Sequence, residues 1–142
     1  MYIDWKLELL DILHKGSKAC FIDSAGRDHV IPVLSIGRHI AEERNVVKVE
    51  GLEHEFEHIV QKLGITDKHT VHCYISPPFG ISFPDHTDPI DVFIYVLEGS
   101  KTMMIDGEIT IIEEGSYIKI PANTPHHAMN IEPSIMLSIG IE

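Results

Sequence analysis

The chain has 142 residues, of which 44% are hydrophobic, and its formal net charge at pH 7 is −11. This length favours one compact domain with a real core, and the hydrophobic fraction is typical of a globular protein and excludes a largely disordered one. Lysines and arginines are few and scattered singly, so we expect neither nucleic acid nor an anionic membrane as a partner.

Cysteine usage and hydropathy bear on the compartment. Only Cys20 and Cys73 are present, without a CxxC pair, and each lies in an apolar run where a free thiol behaves as a small hydrophobe. The first 16 residues form an acidic amphipathic pattern unlike a secretory signal, and no run is long and apolar enough to span a bilayer. These features predict a soluble, cytoplasmic protein.

The first half of the chain mixes helical and extended patterns. Apolar residues recur at helical spacing over residues 3–14 and stop before Gly16. Two extended runs follow, and Ser35 can then cap a short helix that continues through Arg44. The remaining predicted elements are a strand at NVVKV and a helix at GLEHEFEHIVQKLG that Gly64 ends.

From residue 70 onwards short β-rich runs alternate with turn residues. The eight runs are TVHCYIS, ISFPDHT, VFIYVL, KTMMI, EITII, SYIKI, HHAMNI and SIMLSIGI. Eight short antiparallel strands are typical of a jelly roll, although a sandwich of another topology would give a similar pattern. We therefore predict a mostly β single domain over 1–142, in which residues 1–69 add helices and short strands to a barrel of residues 70–142.

The segment HEFEH, residues 54–58, matches the H-E-x-x-H signature of helix-borne zinc sites. The apolar stripe of the same predicted helix runs through Leu52, Phe56 and Ile59, so both histidines fall on the other side. No third ligand with the usual spacing follows. A solvated helix face is the better interpretation, and a zinc protease ranks last.

A second group of possible ligands lies in the predicted barrel. His86 and Asp88 are two residues apart in an expected strand, so their side chains should share a face, and His126 can lie beside them in a jelly roll. Two imidazoles and a carboxylate with three open positions form the facial triad of non-haem Fe(II) oxygenases. Zinc is a weaker candidate, because catalytic zinc sites leave one position open. Polar residues without a common metal remain the alternative.

Two segments resemble the motifs of the cupins. GISFPDH, residues 80–86, is similar to the opening of the first motif, and GSYIKIPANTPHHAMN, residues 115–130, follows the second. The matching residues of the second motif are Gly115, Pro121, His126 and Asn130. Asn123 replaces a glycine, which is a mild change because asparagine tolerates positive φ. Asp88 and Val92 replace a histidine and a glutamate of the first motif, which removes the ligand set of ordinary cupins.

The segment HTDPIDVFIYVLEGSK, residues 86–101, resembles better the JmjC-like branch of the cupins, the 2-oxoglutarate-dependent hydroxylases, including their asparaginyl hydroxylase type. The resemblance implies a cupin double-stranded β-helix over residues 70–142, with Fe(II) on His86, Asp88 and His126. It also implies that Lys101 binds the distal carboxylate of 2-oxoglutarate, and that the reaction hydroxylates a substrate while the cosubstrate becomes succinate and CO₂.

Two further residues are candidates for binding the cosubstrate. Tyr74 shares a strand face with His72 and could donate a hydroxyl to the cosubstrate carboxylate, although most tyrosines on such strands simply pack. Ser138 stands where the asparaginyl hydroxylase type has an asparagine near the cosubstrate. His127 should face away from the metal and be structural. The substrate is expected to be a small molecule or a protein side chain, and exposed edge strands favour a homodimer.

Two other classes of function stay open. A cupin enzyme could use the same metal without 2-oxoglutarate, as a lyase or a dioxygenase acting on a small acid that Lys101 holds. A non-catalytic cupin could bind a small ligand or a protein, with the triad holding a structural metal. Dependence of the reaction on 2-oxoglutarate would distinguish the oxygenase from the first of these classes. A protein that does not bind Fe(II), or that binds it without leaving a coordination position open, would favour the non-catalytic class.

Overall fold

The computed structural model describes residue 9 and residues 11–80 and 84–142. The strands are β1 (Lys18–Ile22), β2 (Asp28–Ile31), β3 (Val46–Glu50), β4 (His69–Ser76), β5 (Val92–Ile105), β6 (Glu108–Glu113), β7 (Tyr117–Ile120), β8 (His126–Ala128) and β9 (Ser134–Ile141). A 3₁₀ turn spans Val33–Ser35, and the helices are α1 (Ile36–Ala41) and α2 (Glu57–Lys62). No described helix is long and apolar enough to cross a membrane.

Strand β5 joins the two faces of the barrel. Its first half pairs with β9 and β7 in a sheet of order β2-β1-β3-β4-β9-β5, and its second half pairs with β6 and β8. Every pair of these strands is antiparallel. The mostly β, antiparallel prediction is therefore confirmed, and a cavity lies between the two faces.

Successive side chains of β4 face the apolar core and the cavity in turn. Val71 and Cys73 are fully buried on one face, against α1, α2 and the start of the chain. His72 and Tyr74 point to the other face and line the cavity. A second apolar cluster lines the barrel interior and comprises Val92, Ile94, Val96, Met103, Ile112, Ile120 and Met136. The period of two thus gives β4 a structural face and a site face.

The N-terminal half extends the same sheet. Strand β3 pairs with β4 in the register Val47 to Ile75 and Val49 to Cys73, and β1 and β2 continue outward from β3. Residue 9 and residues 11–13 are helical, as predicted, but residue 14 is already in a turn; residues 3–8 and 10 of the helix predicted over 3–14 lie outside the described residues.

Both predicted short helices are shorter than expected. Ser35 makes no side-chain bond to the amides of α1, because its hydroxyl donates instead to the carbonyl of Pro32 at 2.7 Å. Helix α1 ends at Ala41, and Arg44 already has φ of +55°. Helix α2 begins at Glu57, after a turn, and ends before Gly64, whose φ of +74° favours glycine.

Two strand predictions in the second half are wrong. VFIYVL and KTMMI belong to one strand of 14 residues, β5, which bends at a bulge near Glu98 instead of turning. The strand expected at ISFPDHT is absent over its described part, residues 84–87, where only His86 forms an isolated bridge. Pro84 and Pro89 explain this loss, because each lacks the amide hydrogen that a ladder needs. Residues 81–83 of that prediction lie outside the described residues.

Candidate metal centre

Two histidines that are distant in sequence lie side by side at the mouth of the cavity. His86 and His126 form a two-way backbone bridge, in which the amide of His86 donates to the carbonyl of His126 at 3.1 Å and the reverse bond is 2.9 Å. Their ring centroids are 4.4 Å apart. The bridge therefore places both imidazoles on the same side of the barrel opening.

Backbone carbonyls set the orientation of both rings. The Nδ1–H of His86 donates to the carbonyl of Pro84, and that of His126 donates to the carbonyl of Thr124, each at 2.8 Å. A carbonyl can only accept a hydrogen bond, so Nδ1 carries the hydrogen in each ring. In the neutral imidazole the lone pair is then on Nε2, which is the form that binds metals.

The carboxylate of Asp88 completes the group. Its Oδ2 lies 3.2 Å from Nε2 of His126 and 3.8 Å from Nε2 of His86. Ligands about 2.1 Å from a metal and at right angles are about 3 Å apart. The three donor atoms lie within 4.8 Å of one another, so the residues fit a cation bound on one face of the triad.

Asp88 reaches this position without a strand. The amide of Asn123 donates to the carbonyl of Asp88 at 2.7 Å, which ties the irregular segment to the loop before β8. Asn123 has φ of +64°, so an asparagine meets the backbone requirement that the resemblance assigns to glycine. The side chains of His86 and Asp88 lie close together, as expected, but the strand that was predicted to bring them together is absent and this contact takes its place.

The triad opens into a cavity of about 290 Å³. Its apolar wall is formed by Ile90, Val92, Ile94, Met103, Ala128 and Met136. All three cosubstrate candidates of the sequence analysis, Lys101, Tyr74 and Ser138, also line it. The side chains of His86 and Asp88 are about one-third exposed, whereas that of His126 is 7% exposed. The metal position is therefore reached from solvent past His86 and Asp88.

The fold comparisons agree with this geometry. Residues 72–140 match the family model described as the cupin domain. This match and the antiparallel barrel together give the segment a cupin-type fold. The predicted cupin jelly roll is thereby confirmed, and the triad lies within the matched residues.

Three solved structures show the same fold. YcfD from Escherichia coli, described as a ribosomal oxygenase in complex with cobalt and 2-oxoglutarate, is 19% identical with a TM-score of 0.72, over 95% of this chain and 43% of YcfD. SPY1581 from Streptococcus pyogenes, of unknown function, is 18% identical with a TM-score of 0.56, over 86% and 94% of the two chains. KdgF from Halomonas sp. is 17% identical with a TM-score of 0.53, and the alignment covers 72% of this chain and 83% of KdgF.

These likenesses show the fold of the cupin domain and not its reaction. The chain spans less than half the length of YcfD, and no curated protein has a significantly similar sequence. The JmjC-like, asparaginyl hydroxylase type of activity stays a prediction.

Lys101 is the most deeply buried charged side chain of the cavity wall. It is 1% exposed, and Nζ donates to Ser76 Oγ at 2.9 Å, Asn130 Oδ1 at 2.6 Å and Ser134 Oγ at 3.2 Å. Burial lowers the pKa of Lys101 to about 8, and the charge of Glu132 opposes this shift. Among the described residues no carboxylate lies within 4 Å of this ammonium, so its charge has no direct counter-ion.

The other two cosubstrate candidates occupy the same wall with different surroundings. Burial, and secondarily the nearby carboxylates of Asp28 and Asp88, raise the pKa of Tyr74, so its phenol stays protonated and able to donate. Ser138 is half-buried on β9, opposite His72 on β4 and Ile94 on β5. The structure brings both residues to the cavity, and their roles stay predictions.

Several residues in or beside the cavity have contacts that the sequence analysis did not predict. Asn130 and Ser76 hold Lys101, and Lys48 lines the cavity from β3. Nζ of Lys48 lies 2.5 Å from Asp28 Oδ2 and 2.9 Å from Glu50 Oε2. Burial lowers the pKa of Lys48, but these two bonds outweigh it and raise the value overall. Strand parity could have placed Lys48 in the wall, whereas its partners could not be predicted.

The ammonium of Lys48 also contacts a second group of possible metal ligands. Cys20, Asp28 and Glu50 bring a thiol and two carboxylates within 4.8 Å of one another. Lys48 already bonds both carboxylates, and burial raises the pKa of the Cys20 thiol. A lysine thus already occupies both carboxylates and partly offsets their charge, which makes the cluster a poor metal site.

The remaining histidines of interest lie away from the cavity. His54 of HEFEH precedes α2 and its side chain is 90% exposed, and His58 is exposed on the helix. The two histidines therefore do not lie on one face of a helix, as a zinc signature would require, and both are exposed, as the predicted solvated surface implies. His127 bonds Asp85 at 2.8 Å on the other side of β8, as expected for a structural residue.

Proposed function

We propose that this protein is an Fe(II)- and 2-oxoglutarate-dependent oxygenase. The proposal rests on one juxtaposition: a two-histidine, one-carboxylate triad lines the same cavity as a buried ammonium that has no counter-ion among the described residues. The triad suits a metal, and the ammonium suits an acid. A cosubstrate with a chelating keto acid at one end and a carboxylate at the other fits both.

The donor set favours Fe(II) over zinc. Two imidazoles and one carboxylate on one face leave three positions for other ligands, which is the arrangement of non-haem Fe(II) oxygenases. His86, Asp88 and His126 would hold such a metal, and the open side of the triad would leave room for a chelating keto acid. That YcfD has been solved with cobalt and 2-oxoglutarate supports the view that this fold can hold a divalent metal and this acid together.

The protein's own residues have three tasks in this reaction. His86 and His126 present Nε2 because their Nδ1–H groups are held by carbonyls. Lys101 binds the distal carboxylate of 2-oxoglutarate through a charge-assisted hydrogen bond. The apolar wall excludes water and so protects the oxidant.

When bound, the iron couples oxidation of 2-oxoglutarate to hydroxylation of a substrate C–H bond. One oxygen atom of O₂ enters succinate and the other enters the hydroxyl group of the product, and CO₂ leaves. This balance needs no reductant other than 2-oxoglutarate.

A second candidate is a cupin enzyme that uses the metal without 2-oxoglutarate. The uncompensated charge of Lys101 supports it, because this ammonium would hold the carboxylate of any small acid that reaches the cavity. Substrate turnover in the absence of 2-oxoglutarate would separate this candidate from the oxygenase.

The test is an anaerobic titration of metal-free protein with Fe(II) and then with 2-oxoglutarate. We expect the visible metal-to-ligand charge-transfer band of the chelate in the wild type. Asp88→Ala should abolish the band, and Lys101→Ala should require at least about tenfold more 2-oxoglutarate, because a charge-assisted bond is lost.

The matched control is Lys119→Ala, which removes an exposed lysine that pairs with Asp91. This variant should titrate like the wild type. Tight Fe(II) binding without a band at any 2-oxoglutarate concentration would reject the oxygenase and favour the second candidate.

A further inference from the structure

Asn130 contacts Lys101 but is not itself part of the cavity lining. Its Oδ1 accepts from Nζ of Lys101 at 2.6 Å, which is the shortest of the three bonds that the ammonium makes. Asn130 is 1% exposed and does not line the cavity, whereas Lys101 and Ser76 do. A ligand in the cavity can therefore meet Lys101 and Ser76, while Asn130 holds the lysine without lining the cavity.

The backbone around Asn130 fixes this amide. Asn130 has φ of +51°, a conformation that asparagine tolerates better than most residues. Its carbonyl accepts from the amide of Phe79 at 2.6 Å, and its Nδ2–H donates to the carbonyl of Gly80 at 3.1 Å. Because Nδ2 is used as a donor, Oδ1 must face Lys101, and the orientation of the amide is settled.

The three acceptors that the described residues offer to the ammonium are all neutral. Two are serine hydroxyls and one is an amide, and none of them can cancel the positive charge. A buried lysine is more commonly paired with a carboxylate, as Lys48 is with Asp28 and Glu50 in this same cavity. The contrast between the two lysines is what distinguishes the Lys101 end of the cavity.

We propose that Asn130 determines the ligand specificity of this site: its neutral amide holds Lys101 without compensating its charge, so that the cavity selects ligands bearing a carboxylate. The proposal deepens the proposed function, on which it rests only for the identity of the natural acid. The same reasoning applies if the ligand is a small acid other than 2-oxoglutarate.

The decisive variant is Asn130→Asp, which keeps an acceptor of the same shape for Lys101 and adds a negative charge. If Asn130 acts through neutrality, the internal carboxylate competes with the ligand, and affinity for an acid falls by at least about tenfold. Asn130→Ala removes the bond but leaves the charge of Lys101, so it should weaken acid binding less. The expected order of affinity is wild type, then Ala, then Asp.

The probes are glutarate and its neutral diamide, measured by calorimetry with the metal-loaded protein. The wild type should prefer glutarate, and Asn130→Asp should lose that preference while its metal stoichiometry is unchanged. Asn45→Asp makes the same chemical change at a half-buried residue that contacts His39 instead of the cavity. This control should keep the preference for glutarate.

A second readout follows the lysine itself. Glu132 is the charged group that acts on Lys101 among the described residues. In ¹⁵N-lysine NMR titrations, Asn130→Asp should therefore raise the pKa of Lys101, because a carboxylate then contacts the ammonium. A merely structural Asn130 would predict the opposite order of variants, since Asp preserves the hydrogen bond and Ala does not.

The outcomes separate this inference from the proposed function. Absence of the iron and 2-oxoglutarate band with a large loss of glutarate binding in Asn130→Asp would reject the oxygenase and support the inference. Glutarate binding in Asn130→Asp equal to the wild type would overturn it. If Asn130→Asp does not fold, Asn130→Ala decides: retention of at least about a tenth of the wild-type affinity is expected, and complete loss with metal still bound overturns the inference.

Discussion

Each imidazole of the candidate metal centre is oriented by a carbonyl two residues before it, and prolines occur in both local segments. Pro84 supplies its own carbonyl to His86, while Pro125 lies between Thr124 and His126. Proline restricts its own φ and the conformation of the preceding residue. The ligand nitrogens are therefore placed by local backbone stiffness as well as by the bridge between the histidines.

The carboxylate of Asp88 should be essential for metal binding. Asp88→Asn keeps the shape of the side chain but removes its charge, and we expect the affinity for Fe(II) to fall at least about 100-fold, because ionised oxygen ligands are lost from the site. Competition with a fluorescent chelator measures this affinity. Asp85→Asn, which changes an exposed partner of His127 nearby, should leave it unchanged; equal loss in both variants would show that general charge, and not ligation, is responsible.

Lys101 should make stability depend on pH in a defined window. Its pKa is about 8 in the folded protein and 10.5 without perturbation, so between these values the unfolded chain binds the proton and the folded protein does not. The free energy of unfolding contributed by Lys101 therefore rises with pH from about 8 to about 10.5. The expected gain is on the order of 1–3 kcal/mol.

The measurement compares urea unfolding of the wild type and Lys101→Met from pH 7 to 10. Burial also raises the pKa of Cys73 to about 12 and raises that of Tyr74, so these two groups destabilise the fold at high pH. Both are present in each protein, and their effects cancel in the difference. A difference that stays flat or falls with pH would contradict the assignment of a depressed pKa to Lys101.

Some single-residue features were predictable from the sequence. The resemblance placed Lys101 and Ser138 near a cosubstrate, and the strand face shared with His72 placed Tyr74 there; all three line the cavity. The partners of Lys101 were not predictable, because Ser76 and Asn130 are 25 and 29 residues away in sequence. Such contacts depend on how turns bring strands together, which a local pattern does not encode.

Strand β5 holds the two faces of the barrel together, and Gly99 allows its bend. This glycine has φ of +79°, and a Cβ atom there would lie 2.4 Å from the carbonyl oxygen of Pro133. Gly99→Ala should therefore destabilise the protein by at least about 3 kcal/mol, because both the backbone conformation and the contact are unfavourable. Equilibrium unfolding in urea measures the change.

A matched variant separates the contact from the backbone effect. Gly107 has φ of +80° in the turn between β5 and β6, and a Cβ atom there would meet nothing within 4 Å. Gly107→Ala should cost only about 1 kcal/mol, the cost of left-handed backbone in a non-glycine residue. Equal costs in the two variants would mean that the close approach of Pro133 is relieved by local movement.

The element boundaries show what sequence patterns can and cannot predict. EGS between VFIYVL and KTMMI has the composition of a turn, yet Gly99 serves a bulge, because both halves of β5 find partners on different strands. ISFPDHT has alternating apolar residues, yet its prolines leave His86 with a single bridge. In both segments the local sequence is compatible with a strand or with a turn, and pairing with other strands in the folded protein decides which of the two forms.

At the scale of the whole molecule, the N-terminal half and the barrel share a core. Leu52 and Val49 from the first half and Val71 and Leu137 from the barrel are all 0% exposed and belong to one apolar cluster. Strand β3 also pairs directly with β4, so the main sheet is continuous across residue 69. The expected division into residues 1–69 and 70–142 therefore describes composition better than it describes independent units.

Because the two halves of the chain share one core and one sheet, we predict that the barrel segment cannot fold alone. A fragment of residues 70–142 would expose the face of Val71, Cys73 and Leu137 and leave β4 as a long, apolar edge strand. We expect the full chain to unfold in one transition when followed by tryptophan fluorescence and far-UV circular dichroism, and the fragment to aggregate or remain unfolded. Trp5 lies in the N-terminal part and most strands lie in the barrel, so the two probes report on different halves. Separate midpoints for the two signals, or a soluble fragment that still binds Fe(II), would show that the cupin domain folds without residues 1–69.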